Sequence, residues 1–320
     1  MRVLSGVQPS GSPHLGNYFG AMQRHVEQQK SGDAFYFIAD LHALTTIQDA
    51  ENLRKNIINL ALDYLAIGLD PENCTFYRQS DLPEVTELTW YLNCVAPMGL
   101  IERCHSYKDK VAKGLMPNVG LFAYPVLMAA DILIVKADKV PVGKDQKQHL
   151  EVTRDIANKF NHAFGEIFPI PEADIAEEVA VVPGTDGQKM SKSYKNTLEI
   201  FAPEKEVKKK IMAIQTDSKP LGEPLDPDKC NVFALYKLMA PKDKVKRMEE
   251  EYRTGAIGYG DAKKQLLEIF LSYFKPFREK RAELEKDLGY VEEVLKEGAQ
   301  KARKTALPVM EELRKSVGIR

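Results

Sequence analysis

The 320-residue sequence holds one tryptophan, Trp90, and four cysteines, Cys74, Cys94, Cys104 and Cys230, none in a CxxC pair. That scarcity excludes a disulfide scaffold, and the spacing argues against a zinc ribbon or an iron–sulfur cluster. The six histidines include no HExxH, so the chain is not expected to carry a metal ligand set of its own. No run approaches the roughly 20 apolar residues that a membrane helix needs. The opening "MRVLSGVQPSG" is too short and too interrupted for a signal h-region, so a cytoplasmic protein with no membrane partner is expected. Proline and glycine are not elevated, which sets aside low-complexity and fibrous classes. Charge of one sign is missing as well: 45 Lys+Arg face 46 Asp+Glu, a net charge of −1. Nothing global advertises nucleic acid, and DNA is not an expected partner.

What remains is a soluble globular composition long enough for two domains. "RVLSGV" (2–7), "AFYFIADLHAL" (34–44) and "CTFYRQS" (74–80) read as strands by their apolar, β-branched and aromatic content. Between the last two, "DAENLRKNIINLALDYLAIGLDP" (49–71) sets Leu53, Ile57, Ala61 and Leu65 on one helical face, with Gly68 and Pro71 as stop signals. Strand, helix, strand in that order implies parallel βαβ units. "DKVPVGKDQKQHLEVTRDIANKF" (138–160) repeats the pattern. After about residue 200 the strand signals stop and long, charged, helix-period sequence takes over. The expected fold class is α/β: a doubly wound parallel sheet over 1–200, then a helical domain over 201–320 whose last helix can pack back on the first. Lysine-rich runs at 205–211, 242–247, 275–281 and 296–304 lie in that helical part; they fit solvated helix faces or a track for phosphates.

Two polar segments carry the chemistry. "PSGSPHLGN" (9–17) follows the first strand, where a helix N-terminus offers free N–H groups to an anion. Gly11 and Gly16 let backbone approach a ligand, and His14 and Asn17 can donate to a phosphate. Alone, the segment fits a surface turn with an incidental histidine equally well. "GQKMSKSYKNT" (187–197) puts Lys189 and Lys192 three residues apart among Ser191 and Ser193, with no apolar periodicity to hold it down. Cations of this kind suit phosphoryl or nucleotidyl transfer, where catalysis is largely charge stabilisation. A third segment, "YPVLMAADIL" (124–133), sets Asp131 in an apolar run. With Tyr124 and Met128 it shares a helical face; near Val140 and Val142 it suits a large aromatic ring bearing one polar hydrogen. A salt-bridge or capping role for Asp131 is the alternative. In "VGKDQ" (142–146), Gly143 admits close backbone approach and Asp145 can accept from ribose hydroxyls.

His14-Leu15-Gly16-Asn17 resembles the His-x-Gly-His signature of class I aminoacyl-tRNA synthetases, with Asn last as in the subgroup that activates tryptophan and tyrosine. Lys189-Met190-Ser191-Lys192-Ser193 matches their second signature in full. "GVQPSGSPHLGNY", "YPVLMAADIL" and "VPVGKDQKQHLEVTRDIA" resemble the bacterial tryptophan branch of that family. The resemblance implies a Rossmann-type catalytic domain, a helical anticodon-binding domain and a homodimer. It implies ATP, with Mg²⁺ bound to it, tryptophan and tRNA(Trp) as reactants and partners, through an aminoacyl adenylate. It implies catalytic roles for His14, Asn17, Lys189, Lys192 and Lys110. The ATP site would take Gln8, Pro9, Ser10, Gly16, Asn17, Gly143, Lys144, Asp145, Val181, Lys189, Met190, Ser191, Lys192 and Ser193. Lys144 stands where many relatives carry an acid, and is expected to face solvent. The tryptophan site would take Asp131 at the indole N–H, with Tyr124, Met128, Gln146 and His42; a structural role for His42 fits as well. Met128 with Ala129 and Ala130 favours indole over phenol. A tyrosine-activating enzyme, a catalytically silent RNA- or tryptophan-binding relative and a nucleotidyltransferase of the same superfamily remain the alternatives.

Overall fold

A computed structural model describes residues 1–30, 32–104, 118–143, 146–175, 182–217, 219–220 and 222–319. Its centre is a parallel five-stranded sheet in the order β3-β2-β1-β4-β5. The strands are β1 (Arg2–Val7), β2 (Asp33–Ile38), β3 (Thr75–Arg78), β4 (Lys139–Val142) and β5 (Glu172–Ile175). From β1 the chain builds outward through β2 and β3, then returns to add β4 and β5 on the other side. The order therefore reverses between β1 and β4, and the crevice at their carboxyl ends is where open α/β sheets take ligands.

The continuous apolar run of β2 follows from burial on both faces. Ala34, Tyr36 and Ile38 enter one apolar cluster, with Leu15, Ile57, Ala61 and the helices beyond residue 200. Phe35 and Phe37 enter the other, with Leu88, Leu92, Val126, Ile132, Leu150 and Ile156. The Ala50–Ala66 helix starts where the Asp49 side chain accepts from the Glu51 and Asn52 N–H groups. It ends just before Gly68, whose φ of +105° only glycine adopts without strain.

Two expectations need correction. The strand expected over 34–44 stops at Ile38, and Asp40–Ala43 forms a short helix; His42 sits on that helix rather than at a strand end. β5 went unread, because Glu-Ala-Asp-Ile offers too few apolar positions to show a period of two. Beyond it, the described residues form no further strand, only isolated bridges between Pro183 and Lys189 and between His14 and Glu199, short 3₁₀ turns and the helices Glu204–Met212, Asn231–Met239, Lys242–Thr254, Tyr259–Leu284 and Leu288–Ser316.

The last two helices brace the sheet. Leu288–Ser316 lies against β3 so closely that a Cβ on Gly298 would stand 1.8 Å from the Phe76 carbonyl oxygen. Its stripe of Ala299, Ala302, Ala306, Val309, Met310 and Leu313 joins the second cluster. On Tyr259–Leu284, Arg278 donates to the Ile200 carbonyl at 2.8 Å and to that of Ala202. Arg281 on the same helix donates to the buried Asp63 at 2.6 Å and to Asn59 at 3.0 Å. This helix therefore grips both the Ala50–Ala66 helix and the segment that follows the Lys-Met-Ser-Lys-Ser loop.

Candidate active site

Loops leaving the carboxyl ends of β1, β2, β3 and β4 meet at one edge of the sheet. After β1, His14 caps the following helix: its Nδ1 accepts from the Asn17 N–H at 3.3 Å, while Asn17 Oδ1 accepts from the His14 N–H at 3.1 Å. This reciprocal box satisfies two of the N–H groups a helix start leaves open. Burial, helped by the Lys192 charge and opposed by Glu199, brings the His14 pKa down to about 4. The ring is neutral near pH 7, and since Nδ1 accepts, Nε2 carries the proton and is left to donate.

The Lys-Met-Ser-Lys-Ser loop is tied to this cap. The Leu15 N–H donates to the Leu198 carbonyl at 3.0 Å, and the Ile200 N–H to that of Pro13 at 3.1 Å. A Cβ on Gly16 would touch the Met190 side chain at 3.5 Å and the His14 ring at 3.0 Å, so the glycine keeps the two segments close. Contrary to expectation, the loop is well held: Met190 is buried, and its N–H donates to Val182. Asn196, also buried, accepts from the Ser191 N–H at 2.8 Å and donates to Asp186 at 2.7 Å and to the Lys189 carbonyl at 3.1 Å. Lys189, Lys192 and Ser193 are exposed on the outside of this knot.

Although Lys192 is exposed by area, its ammonium folds back to donate to the Ser10 carbonyl at 2.9 Å. Desolvation there holds its pKa below the ordinary lysine range, with Glu199 and Asp63 opposing. Ser10, Gly11, Ser12, Lys192, Glu199 and Arg281 line part of a cavity of about 550 Å³. Glu199 is already engaged by Lys210 and Thr197; these bonds outweigh burial and keep its pKa below the usual carboxylate value. Gln8 is exposed and Pro9 buried at the end of β1, and Gly143 is exposed at the end of β4. Gln146 begins the next helix, its N–H donating to the Gly143 carbonyl at 2.9 Å.

On the other side lies Asp131, 3% exposed, on the Val119–Ile134 helix. Its Oδ2 meets His42 Nε2 at 2.9 Å, and Gln79 Nε2 donates to both its oxygens at 2.7 and 2.9 Å. Burial raises the Asp131 pKa; the His42 and Gln79 bonds pull it back, and Asp40 adds to the rise. Half-buried Tyr124 bonds His149 Nε2 through its hydroxyl at 2.5 Å, and Met128 is half-buried on the same helix. The geometry can therefore offer a buried acceptor to a donor-bearing aromatic ring, beside an edge rich in donors for an anion.

Expected residues His14, Asn17, Gly16, Ser10, Met190, Ser191 and Lys192 come together, as do Asp131 and His42. Lys110, Lys144, Asp145 and Val181 lie outside the described residues. Gln79, Asn196 and Glu199 escaped the sequence reading. Gln79 had a signal: an uncharged polar residue directly after the last strand residue, Arg78, at the ligand-binding edge.

A family profile for tRNA synthetases class I (W and Y) matches residues 1–275. A tryptophan–tRNA ligase of Rhodopirellula baltica is 54% identical over 320 residues, covering 100% of both chains. One of Fusobacterium nucleatum is 55% identical over 99% of this chain and 98% of its own. A crystal structure of tryptophanyl-tRNA synthetase from Campylobacter jejuni, complexed with ADP and tryptophan, superposes with a TM-score of 0.96. It is 51% identical and covers 99% of this chain and 100% of that one. This chain belongs to the class I tRNA synthetases of the W and Y group. Its sheet and its paired signature segments are those of a class I synthetase, with a Rossmann-type catalytic part and a helical C-terminal region.

Proposed function

We propose that the chain joins tryptophan to ATP as tryptophanyl adenylate, releasing pyrophosphate, then passes the tryptophanyl group to the 3′ end of tRNA(Trp), releasing AMP. The observation that carries this reading is the buried Asp131 carboxylate, held as an acceptor by His42 and Gln79 at the sheet edge that also bears His14 and Lys192. An indole N–H is a donor only, and it answers such a carboxylate.

In the first step the tryptophan carboxylate attacks the α-phosphorus of ATP and pyrophosphate leaves. No side chain need act as nucleophile. Neutral His14, donating from Nε2, and Asn17 would hold phosphate oxygens in place, while Lys189 and Lys192 close on the charge that grows on the leaving group. Lys192 has first to leave the Ser10 carbonyl. Gln8, Pro9, Ser10, Gly16 and Gly143 would lie along the nucleotide, and Met190, Ser191 and Ser193 would shape the loop over it. The same reading gives Lys110 a further pyrophosphate contact, and Lys144, Asp145 and Val181 places along the nucleotide. Tyr124, Met128, Gln146 and His42 would border the amino acid. Among the described residues no group of three His, Cys, Asp or Glu side chains is placed to hold a metal ion. Mg²⁺ would ride on the phosphate oxygens of ATP and screen their charge.

Residues 1–200 would then carry the chemistry and 201–320 would face the tRNA, its lysines tracking phosphates. A homodimer is part of the same proposal. Trp90, Met98 and Val119 are 68, 63 and 82% exposed on neighbouring helices, an apolar surface that a second copy would cover. Among the described residues no helix is long and apolar enough to cross a membrane; a cytoplasmic place is proposed from the tRNA substrate.

The test is exchange of labelled pyrophosphate into ATP, with tryptophan and tyrosine compared. Exchange with tryptophan alone is expected. Exchange with tyrosine alone would keep the mechanism and overturn the pocket, and no exchange with either would point to a silent relative.

A further inference from the structure

Gln79 is fully buried, and both ends of its amide are engaged. Its Oε1 accepts from the Leu41 N–H at 3.1 Å and the His42 N–H at 3.4 Å. These donors belong to the first turn of the Asp40–Ala43 helix, where N–H groups lack helical partners. Only the amide oxygen can answer two backbone N–H groups, so the Nε2 end has to face Asp131. One side chain thus joins the ends of β2 and β3 to the Val119–Ile134 helix and fixes how the carboxylate is turned.

Resting on the tryptophan reading above, we propose that Gln79 is a specificity-determining positioning residue that keeps Asp131 a hydrogen-bond acceptor for the indole N–H. A carboxyl group that gains a proton presents an O–H toward a ligand that can only donate, and recognition is lost. Several groups bear on that proton. Asp40, from the short helix, pushes Asp131 toward it, although its own oxygens are engaged by the Leu41 and Ser80 N–H groups and the Ser80 hydroxyl. His42 on the same helix resists it. Tyr77 on β3 feels the Asp131 charge, and its hydroxyl is driven far above its usual range by burial first and that charge second. Tyr124 stands two turns back on the helix of Asp131 and is bonded to His149 from the next helix. Without Gln79, His42 is the only side chain among the described residues left bonded to Asp131.

The Gln79 amide N–H groups are directed at both oxygens of Asp131, so this end of the pocket offers an acceptor. A phenol, whose oxygen also seeks a donor, is served less well than an indole.

The experiment compares wild type, Gln79→Met, Gln79→Glu and Asp131→Ala in tryptophan-dependent pyrophosphate exchange, with pH varied from about 6 to about 9. Gln79→Met should raise the tryptophan KM by about tenfold, one lost hydrogen bond to a charged group, with kcat and the ATP KM unchanged. Its KM should improve as pH rises, more steeply than that of wild type. Gln79→Glu should show the steeper improvement, because two adjacent carboxyl groups share a proton until higher pH. A wild-type KM and pH profile in Gln79→Met, with KM raised in Asp131→Ala, would overturn the role of Gln79 and leave the indole reading standing. A wild-type KM in Asp131→Ala would remove the indole reading itself. A raised KM with no new pH dependence in either Gln79 variant would assign Gln79 to packing alone and overturn the proposal.

Discussion

The Lys192 ammonium rests on the Ser10 carbonyl, 2.9 Å away, so a cation of the second signature segment is bonded to the loop that carries the first. In this arrangement the lysine joins the two segments, and in the proposed reaction it has to let go before it can meet phosphate.

Lys192→Ala should therefore slow adenylate formation by about 10²–10³-fold, the usual effect of losing one preorganised charge contact in a transition state. The tryptophan Kd, read by equilibrium dialysis, should stay at the wild-type value. Equal losses in rate and in tryptophan binding would mean that Lys192 shapes the pocket and has no separate role in the reaction.

Asn196 is the knot under the loop, and Asn196→Ala removes bonds to the Ser191 N–H, Asp186 and the Lys189 carbonyl. Stability should fall by about 1–3 kcal/mol. kcat should fall with it, while the tryptophan KM, which the proposal assigns to the other side of the cleft, should not move. A wild-type kcat in the folded variant would show that loop shape is fixed elsewhere.

His25 gives a pH prediction that lies outside the site. Its ring is wholly buried between Tyr36 and Tyr64, bonds the Tyr64 hydroxyl at 3.0 Å, and has its pKa lowered to about 4, mainly by desolvation. The folded value is below the unfolded one near 6.5, so the unfolded chain binds the extra proton first. The contribution of His25 is present above pH 6.5 and is lost as pH falls toward 4, by an amount on the order of 3 kcal/mol. Urea unfolding at several pH values across that window should show a shallower acid loss in His25→Gln than in wild type. Parallel curves would remove His25 from the account of acid stability.

Gly298 and Gly260 make a matched pair. Gly298→Ala drives a methyl into the Phe76 carbonyl and should cost about 1–3 kcal/mol or more as the last helix lifts from β3. Gly260→Ala, on a helix and with nothing within 4 Å of its Cβ, should be neutral or stabilising by about 0.4–1 kcal/mol. Thermal melts of both variants check this; a Gly298→Ala variant as stable as wild type would mean that the helix docks with slack.

Trp90→Glu puts a charge on the exposed apolar surface proposed for the second copy. Sedimentation equilibrium should find wild type as a dimer and the variant shifted toward monomer. A wild type that sediments as a monomer would move the interface elsewhere or remove it.

Much of this was legible in the sequence because it is local. The apolar run of β2, the helical face of Leu53, Ile57, Ala61 and Leu65 with Gly68 after it, and both signature segments each lie within one short stretch, and the backbone and side-chain chemistry that defines them needs no distant partner. The short helix at Asp40–Ala43 was not legible, since "DLHA" continues an apolar run and only its packing decides where the strand stops.

By itself, then, the sequence determined the class of fold, the two polar segments and the presence of one carboxylate in an apolar helix. What that carboxylate does was decided by tertiary structure. Asp131 is 89 positions from His42 and 52 from Gln79, and the three meet because adjacent parallel strands end at one edge. Likewise the two signatures, 182 positions apart at Ser10 and Lys192, become one site through the pairing of 13–15 with 198–200. A buried polar group must find its partner among whatever groups the fold brings within about 3 Å, and that neighbourhood is a property of chain topology, which no single stretch of residues contains.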